Sequence, residues 1–208
     1  IDVKTTSDGV CVCWHDDDLS RVGHNVTIAS TKWEDLKDLT LTQTRSGVTY
    51  TAKLLTVDRY LEICKEHNIF PIIELKWASG INNNDMSWFP KLYALIQKHD
   101  MVDKAYILTS MQKSLEYVRT NYPALKCQFL CYEVTEARYE WCKQWGINPS
   151  VQTGGLSKYM ARKCHDAGME VAVWTVNSLA DYQKYGELGC TTMTCDYLMA
   201  TEMPELED

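Results

Sequence analysis

The chain has 208 residues, 45% of them hydrophobic and 24% charged, a mixture that supports one ordinary globular core and excludes long disorder. Its 28 acidic and 21 basic residues give a formal charge of −7, and no Lys/Arg run exists to neutralise phosphates, so neither nucleic acid nor an anionic membrane is an expected partner. No stretch approaches the ~18 consecutive apolar residues of a membrane span, and stable membrane insertion is not expected either.

In chain order, short β-branched runs alternate with amphipathic ones. Strands are predicted over Ile1–Lys4, Val10–His15, Phe70–Lys76, Ala105–Thr109, Cys127–Tyr132, Pro149–Gln152, Glu170–Val176 and Thr191–Thr194. Ser7-Asp8-Gly9 is a tight-turn sequence, so one of the first two strands is open to being a hairpin arm. Helices are predicted over Thr56–His67, Trp88–His99, Gln112–Asn121, Glu136–Trp145, Leu156–Ala167 and Leu179–Tyr185. Repeated βα units without a glycine-rich dinucleotide fingerprint leave a doubly wound sheet or a (β/α)8 barrel. Barrels typically run to about 250 residues, so a chain of this length fits a barrel lacking its first βα unit. The opening Ile1-Asp2-Val3 reads as mid-strand, without Met or signal-peptide character.

Nine cysteines is an odd number, and most sit in apolar runs without zinc-ligand spacing. They are expected to be reduced fillers, which points to a cytoplasmic setting.

Three strand ends carry chemistry. Asp2 lies in an apolar strand, an expensive place for a carboxylate without a compensating cation or donor. Cys11, Cys13 and His15 share one face of the second run, the imidazole closing a row of small residues. In Ile73-Glu74-Leu75-Lys76, period-two geometry puts Glu74 and Lys76 on the same face. Two acids and a lysine converging from different strands would suit a hard cation with a phosphate-binding ammonium beside it. Each also has a plainer reading: a structural histidine, a sheet-edge ion pair, an exposed aspartate.

The string Asp2-Val3-x-x-Thr6-x-Asp8-Gly9-x-x-Val12-x-x-His15-Asp16, followed by Leu19-x-Arg21, resembles the signature of glycerophosphodiester phosphodiesterases. Ile73-Glu74-Leu75-Lys76 is similar to that family's Ile-Glu-Ile-Lys strand, Trp174-Thr175-Val176-Asn177 to its Trp-Thr-Val-Asn, and Thr194-Cys195-Asp196-Tyr197 to its closing Thr-Asp-Tyr-Pro. The resemblance implies one domain over 1–208, a TIM (β/α)8 barrel of the PLC-like phosphodiesterase type with its first βα unit missing, and a family insertion at about 22–55.

It further implies that Asp2 and Glu74 ligate a divalent metal ion, Ca2+ or Mg2+. His15 would be one of two acid/base histidines, Lys76 would sit near the phosphate, and Trp174 near the glycerol or pocket wall. The reaction would be hydrolysis of a small-molecule glycerophosphodiester to glycerol phosphate and an alcohol. The family's His-Arg-Gly motif, its Pro-Glu-Asn-Thr helix and a metal-binding Glu two positions before Asp2 have no counterpart in this chain. By itself the chain is therefore expected to be inactive and to associate through an open barrel seam. Leu55-Thr56-Val57-Asp58-Arg59 stands for the usual Pro-Thr-Leu-Glu-Glu, Cys195 for the closing Thr and Leu198 for the closing Pro. The alternatives are another PLC-like phosphodiesterase, such as a sphingomyelinase D-like, agrocinopine-type or phosphoinositide-cleaving enzyme, and an inactive barrel serving as a binding module.

Overall fold

Period-two runs become strands and 3.6-period runs become helices where the sequence predicts them. The computed structural model describes residues 1–76 and 85–196; Tyr197 and Leu198 of the closing motif lie outside the described residues. Two compact units divide the chain, Ile1–Ile107 with Tyr122–Lys126, and Leu108–Asn121 with Cys127–Asp208.

The first unit contains, in order, β1 (Asp2–Thr5), β2 (Cys11–Cys13), the short α1 (Trp33–Leu36), β3 (Leu41–Arg45), β4 (Val48–Ala52), β5 (Leu55–Thr56), α2 (Val57–Glu66), β6 (Ile72–Leu75), α3 (Phe89–Lys98) and the start of β7 (Tyr106–Thr109). β1 and β2 form an antiparallel hairpin with Val3 opposite Cys13, so the second predicted strand is the hairpin arm. Its turn explains the Thr-x-Asp-Gly motif. The Thr6 hydroxyl donates to Asp8 and accepts from the Val10 amide, while Asp8 also accepts from the Trp33 amide at 3.1 Å. These donors hold the Asp8 carboxyl below its ordinary value, the Thr6 bond contributing most. Gly9 closes the turn at φ +79°, and the Lys91 ammonium fills the space where a Cβ would stand.

On its other edge β1 runs parallel to β6, Asp2 opposite Glu74 and Val3 opposite Leu75. β5 adds to the far side of β2, and the Tyr106 amide at the start of β7 donates to Pro71 O at 2.9 Å. The segment the sequence leaves as an insertion has structure of its own. β3 and β4 form a separate two-stranded ribbon, and Leu19, Val22, Ile28, Leu36, Leu41 and Leu54 pack with Val12 into a small buried core. α2 starts at Thr56, whose hydroxyl accepts from the Arg59 amide, a side-chain cap at the N-terminus.

The second unit repeats one pattern. Between α4 (Gln112–Asn121), α5 (Glu136–Trp145), α6 (Lys158–Asp166) and α7 (Leu179–Glu187) run β8 (Lys126–Cys131), β9 (Asn148–Gln152), β10 (Ala172–Trp174) and β11 (Thr192–Thr194). Within the unit β8, β9, β10 and β11 are parallel neighbours in sequence order, the hallmark of successive βα crossovers. Thr135, Ser157 and Ser178 each cap the helix that follows with a side-chain oxygen. All nine cysteines are free thiols, and burial pushes that of Cys11 up to about 11 and that of Cys127 to about 12, so both stay protonated at neutral pH. Among the described residues no helix is long and apolar enough to cross a membrane.

A single close approach pins the loop after β8 to the loop after β9. A Cβ on Gly155 would lie 1.8 Å from the Tyr132 carbonyl oxygen, and the Val134 amide donates back to Gly155 O at 3.1 Å. Backbone cannot swing aside as a flexible side chain can. Gly155→Ala is expected to destabilise the protein by about 1–3 kcal/mol through overpacking, read as a lower denaturation midpoint at unchanged slope in urea.

Candidate active site

The parallel register of β1 and β6 sets Asp2 directly beside Glu74. Adjacent parallel strands hold opposite residues on one face, and Lys76, two residues beyond Glu74, joins that face. The Lys76 ammonium lies 2.7 Å from Glu74 Oε1 and 3.5 Å from Asp2 Oδ1. All three side chains are largely shielded, with 18–27% of their surface exposed. The trio predicted from the strand pattern is therefore assembled.

Its electrostatics are lopsided because one ammonium serves two carboxylates. Burial raises the Glu74 carboxyl above its ordinary value, the Lys76 contact only partly offsetting it, and the Asp2 charge pushes the same way. Burial also disfavours the charged form of Lys76, yet Glu74 and Asp2 outweigh it and the ammonium is held above its usual range. The two shifts look contradictory for an ion pair, but they agree with the stoichiometry: the lysine has two partners and each acid has half of one. Two shielded acids against a single cation leave the cluster net negative, an arrangement that favours a further positive charge.

His15 stands on the adjoining arm. β2 ends at Cys13, the Trp14 amide donates to Asp2 O at 3.0 Å, and residues 15–17 form a bend, so strand alternation with Cys11 and Cys13 no longer sets the direction of the imidazole. A run of three aspartates sets it instead. Asp16 Oδ1 lies 2.6 Å from His15 Nδ1, and its Oδ2 lies 3.2 Å from Arg21 Nε. Asp17 takes the buried Lys4 ammonium at 2.9 Å, anchoring the bend to β1. Asp18 accepts the Ser20 amide and, through its carbonyl, the Trp14 indole N–H at 2.8 Å. The His15 and Arg21 contacts hold the Asp16 carboxyl below its ordinary value, the histidine bond being the larger. As an ionised acceptor, Asp16 keeps the proton of neutral His15 on Nδ1 and leaves Nε2 as the free lone pair. The sequence names Asp16 only as part of the motif and assigns no role to Asp17 or Lys4, whose bond joins residues far apart in the local pattern.

Trp174 belongs to the second unit. Its indole N–H donates to Ser150 O at 3.2 Å, and its ring meets Tyr132 edge-on at 5.8 Å. In that unit the two late motifs are tied together: Asn177 Nδ2 donates to Asp196 Oδ2 at 2.8 Å and the Asp196 amide returns a bond to Asn177 Oδ1 at 3.0 Å. Among the described residues no three of His, Cys, Asp and Glu converge as metal ligands; the candidate donors are the Asp2 and Glu74 carboxylates.

The model of the glycerophosphoryl diester phosphodiesterase family matches residues 1–200. The chain belongs to that family. Solved structures share the fold. An Oleispira antarctica phosphodiesterase in complex with the product sn-glycerol-3-phosphate is 18% identical, with 95% of this chain and 80% of that one covered at a TM-score of 0.80. A Parabacteroides distasonis glycerophosphodiester phosphodiesterase is 22% identical over 94% and 77% of the two chains at 0.77. An Agrobacterium tumefaciens glycerophosphodiester phosphodiesterase is 15% identical over 94% and 82% at 0.71. No match is found among curated proteins. The fold is thus the α/β barrel type of glycerophosphodiester phosphodiesterases, as the βα alternation and the motifs imply.

The burial of Glu74 makes a test of the acid pair independent of catalysis. Because its folded value is raised, the native state favours the protonated form, and ionisation costs stability as pH rises above the ordinary 4.5. Glu74→Gln keeps the shape and removes that cost, leaving Lys76 with Asp2. The variant is expected to melt above the wild type at neutral pH in metal-free buffer, and the gap should close as pH falls below 4.5; a calorimetric pH series reads both ends.

Proposed function

We propose that the protein hydrolyses glycerophosphodiesters to glycerol phosphate and an alcohol, with Asp2, Glu74 and Lys76 receiving the phosphate and glycerol end and His15 moving the proton. The observation that carries this reading is the Asp2–Glu74 register with Lys76 on the same face, in a chain of this family whose hairpin arm leads on to a histidine clamped by Asp16. The glycerol phosphate seen with the Oleispira antarctica relative supports the same product half.

The donor set fits a hard divalent cation. Two carboxylates offer up to four oxygens, calcium and magnesium prefer oxygen ligands, and the shielded pair lacks one positive charge. Asp2 and Glu74 would hold the ion. When bound, it supplies fixed positive charge against which a phosphate oxygen and a glycerol hydroxyl become easier to hold and to ionise. The rest is the work of this chain's own groups. The Lys76 ammonium donates to a non-bridging phosphate oxygen and offsets charge that builds on phosphorus. Water bonds to phosphorus as the bond to the alcohol's oxygen breaks; His15 Nε2 takes the proton the water loses, Asp16 stabilises the imidazolium while the proton resides there, and that proton passes to the departing alkoxide. An acidic protein accepts an anion in this way because the field is inverted only locally.

Full-length protein is expected to hydrolyse glycerophosphocholine or glycerophosphoethanolamine, and EDTA should abolish the rate. His15→Ala should lower turnover by about a hundredfold or more with an unchanged melting curve, since the imidazole is mostly exposed. Near-normal turnover in that variant would remove His15 from the reaction.

A further inference from the structure

The β3–β4 ribbon has an unguarded edge. Its two-residue turn, Ser46 at φ +51° and Gly47 at φ +77°, closes on the Arg45–Val48 pair, and the register runs without a bulge to Leu41 opposite Ala52. Among the described residues neither β3 nor β4 pairs with any other strand. β3 lies against the Ser20–Val22 turn, whereas every residue of β4 is exposed. Sheet edges of this kind are ordinarily blunted by a lysine, a proline or a bulge. β4 reads Val48-Thr49-Tyr50-Thr51-Ala52 and has none of these, and the Lys53 ammonium that follows it is drawn back onto Asp38 O and Thr40 Oγ1.

Backbone alternation decides what the free edge offers. A two-residue turn closes on a pair that exchanges both backbone bonds, and such pairs alternate with pairs that exchange none. Arg45–Val48, Gln43–Tyr50 and Leu41–Ala52 are therefore the bonded pairs. Thr44–Thr49 and Thr42–Thr51 are the others, and the 3.0 Å approach of the Thr44 and Thr49 hydroxyls fits the closer side chains of that class. The amides and carbonyls of Thr49 and Thr51 consequently point out of the ribbon. They lie symmetrically about Tyr50. The strand is close to a palindrome, with threonine on either side of the tyrosine and an aliphatic residue at each end.

We propose that β4 is a dimer interface, pairing antiparallel with β4 of a second copy of this chain about a two-fold axis at Tyr50. Two ribbons then join into one four-stranded sheet. Such a pairing requires the outward-facing residues of one copy to meet those of the other. The Tyr50 axis meets this condition, since Thr49 of each copy falls opposite Thr51 of the other and their free amides and carbonyls bond reciprocally. The two Tyr50 side chains meet in the closer class of pair, on the face where Val48 comes opposite Ala52. Val48 and Tyr50 keep 51% and 59% of their surface exposed in the single copy, and the pairing covers both. It brings no like charges together, because the strand carries none. So short an edge is small beside the ~1,200 Å² of total surface that a stable interface buries, so the dimer is reversible, with a dissociation constant on the order of micromolar or weaker.

The test is sedimentation of the full-length protein over a concentration series reaching about 1 mM, for wild type, Thr51→Pro and Tyr50→Lys. Thr51→Pro removes an N–H that β3 does not use, so the ribbon stands while a bond to the second copy is lost. Tyr50→Lys sets two ammonium groups face to face on the axis. The wild type is expected to pass from monomer to dimer, and each substitution to raise the dissociation constant about tenfold or more, with melting curves checking the fold. Tyr50→Cys reads the axis independently of these losses. Cα atoms in the closer class of pair stand about 4.5 Å apart, within disulfide reach, so mild oxidation should link two copies. Gln43→Cys, one strand further out in each copy, should not link. A wild type that stays monomeric throughout, a folded Thr51→Pro or Tyr50→Lys variant that dimerises as the wild type does, or equal linking through positions 43 and 50 would each overturn the interface.

Discussion

One ammonium shared by two carboxylates across a pair of parallel strands organises the first unit's chemistry. Parallel pairing fixes Asp2 opposite Glu74, and the two-residue period of β6 brings Lys76 back to the same face. Desolvation is severe for charge: either acid alone with Lys76 makes an ordinary pair, whereas both together leave a shielded negative excess. The excess is a standing demand for positive charge. It gives physical content to the reading that an acidic protein handles a phosphate diester, and it sits within a family whose solved members share the fold over most of this chain.

The second constraint is mechanical. His15 lies past the end of β2, where the strand no longer dictates direction, and three neighbouring aspartates take over with separate tasks. Asp16 grips the imidazole and Arg21, Asp17 grips the buried Lys4 of β1, and Asp18 turns the chain toward Ser20 while receiving the Trp14 indole. A bend fastened at so many points behaves more like part of the scaffold than like a loop. That suits a proton-transfer group, which must be held within a few tenths of an ångström to be useful.

Much of this was legible in the residues, and the reasons for success and failure are physical. Alternation of apolar side chains exposes Glu74 and Lys76 as same-face partners, and an unaccompanied Asp2 in a hydrophobic strand marks a compensated charge. Thr56, Thr135, Ser157 and Ser178 mark the starts of α2, α5, α6 and α7. The β3–β4 ribbon escaped because its residues, Leu41–Arg45 and Val48–Ala52, are almost all solvent-facing and leave no apolar rhythm to read. The direction of His15 escaped for a different reason. A period-two projection assumes that the strand continues, and β2 stops two residues short. The Lys4–Asp17 bond spans a turn and a bend, so no local pattern connects its ends.

Val12 has a consequence for how this region is put together. It belongs to the hairpin arm that leads to His15, and it is also a member of the small core formed by Leu19, Val22, Ile28, Leu36, Leu41 and Leu54. The inserted segment is therefore not a detachable cassette resting on a finished barrel. Its apolar floor is borrowed from a strand that the arm carrying His15 also needs. A graft of this segment onto a related scaffold must bring the hairpin with it, and the segment's divergence over time is bound to that of the arm beneath it.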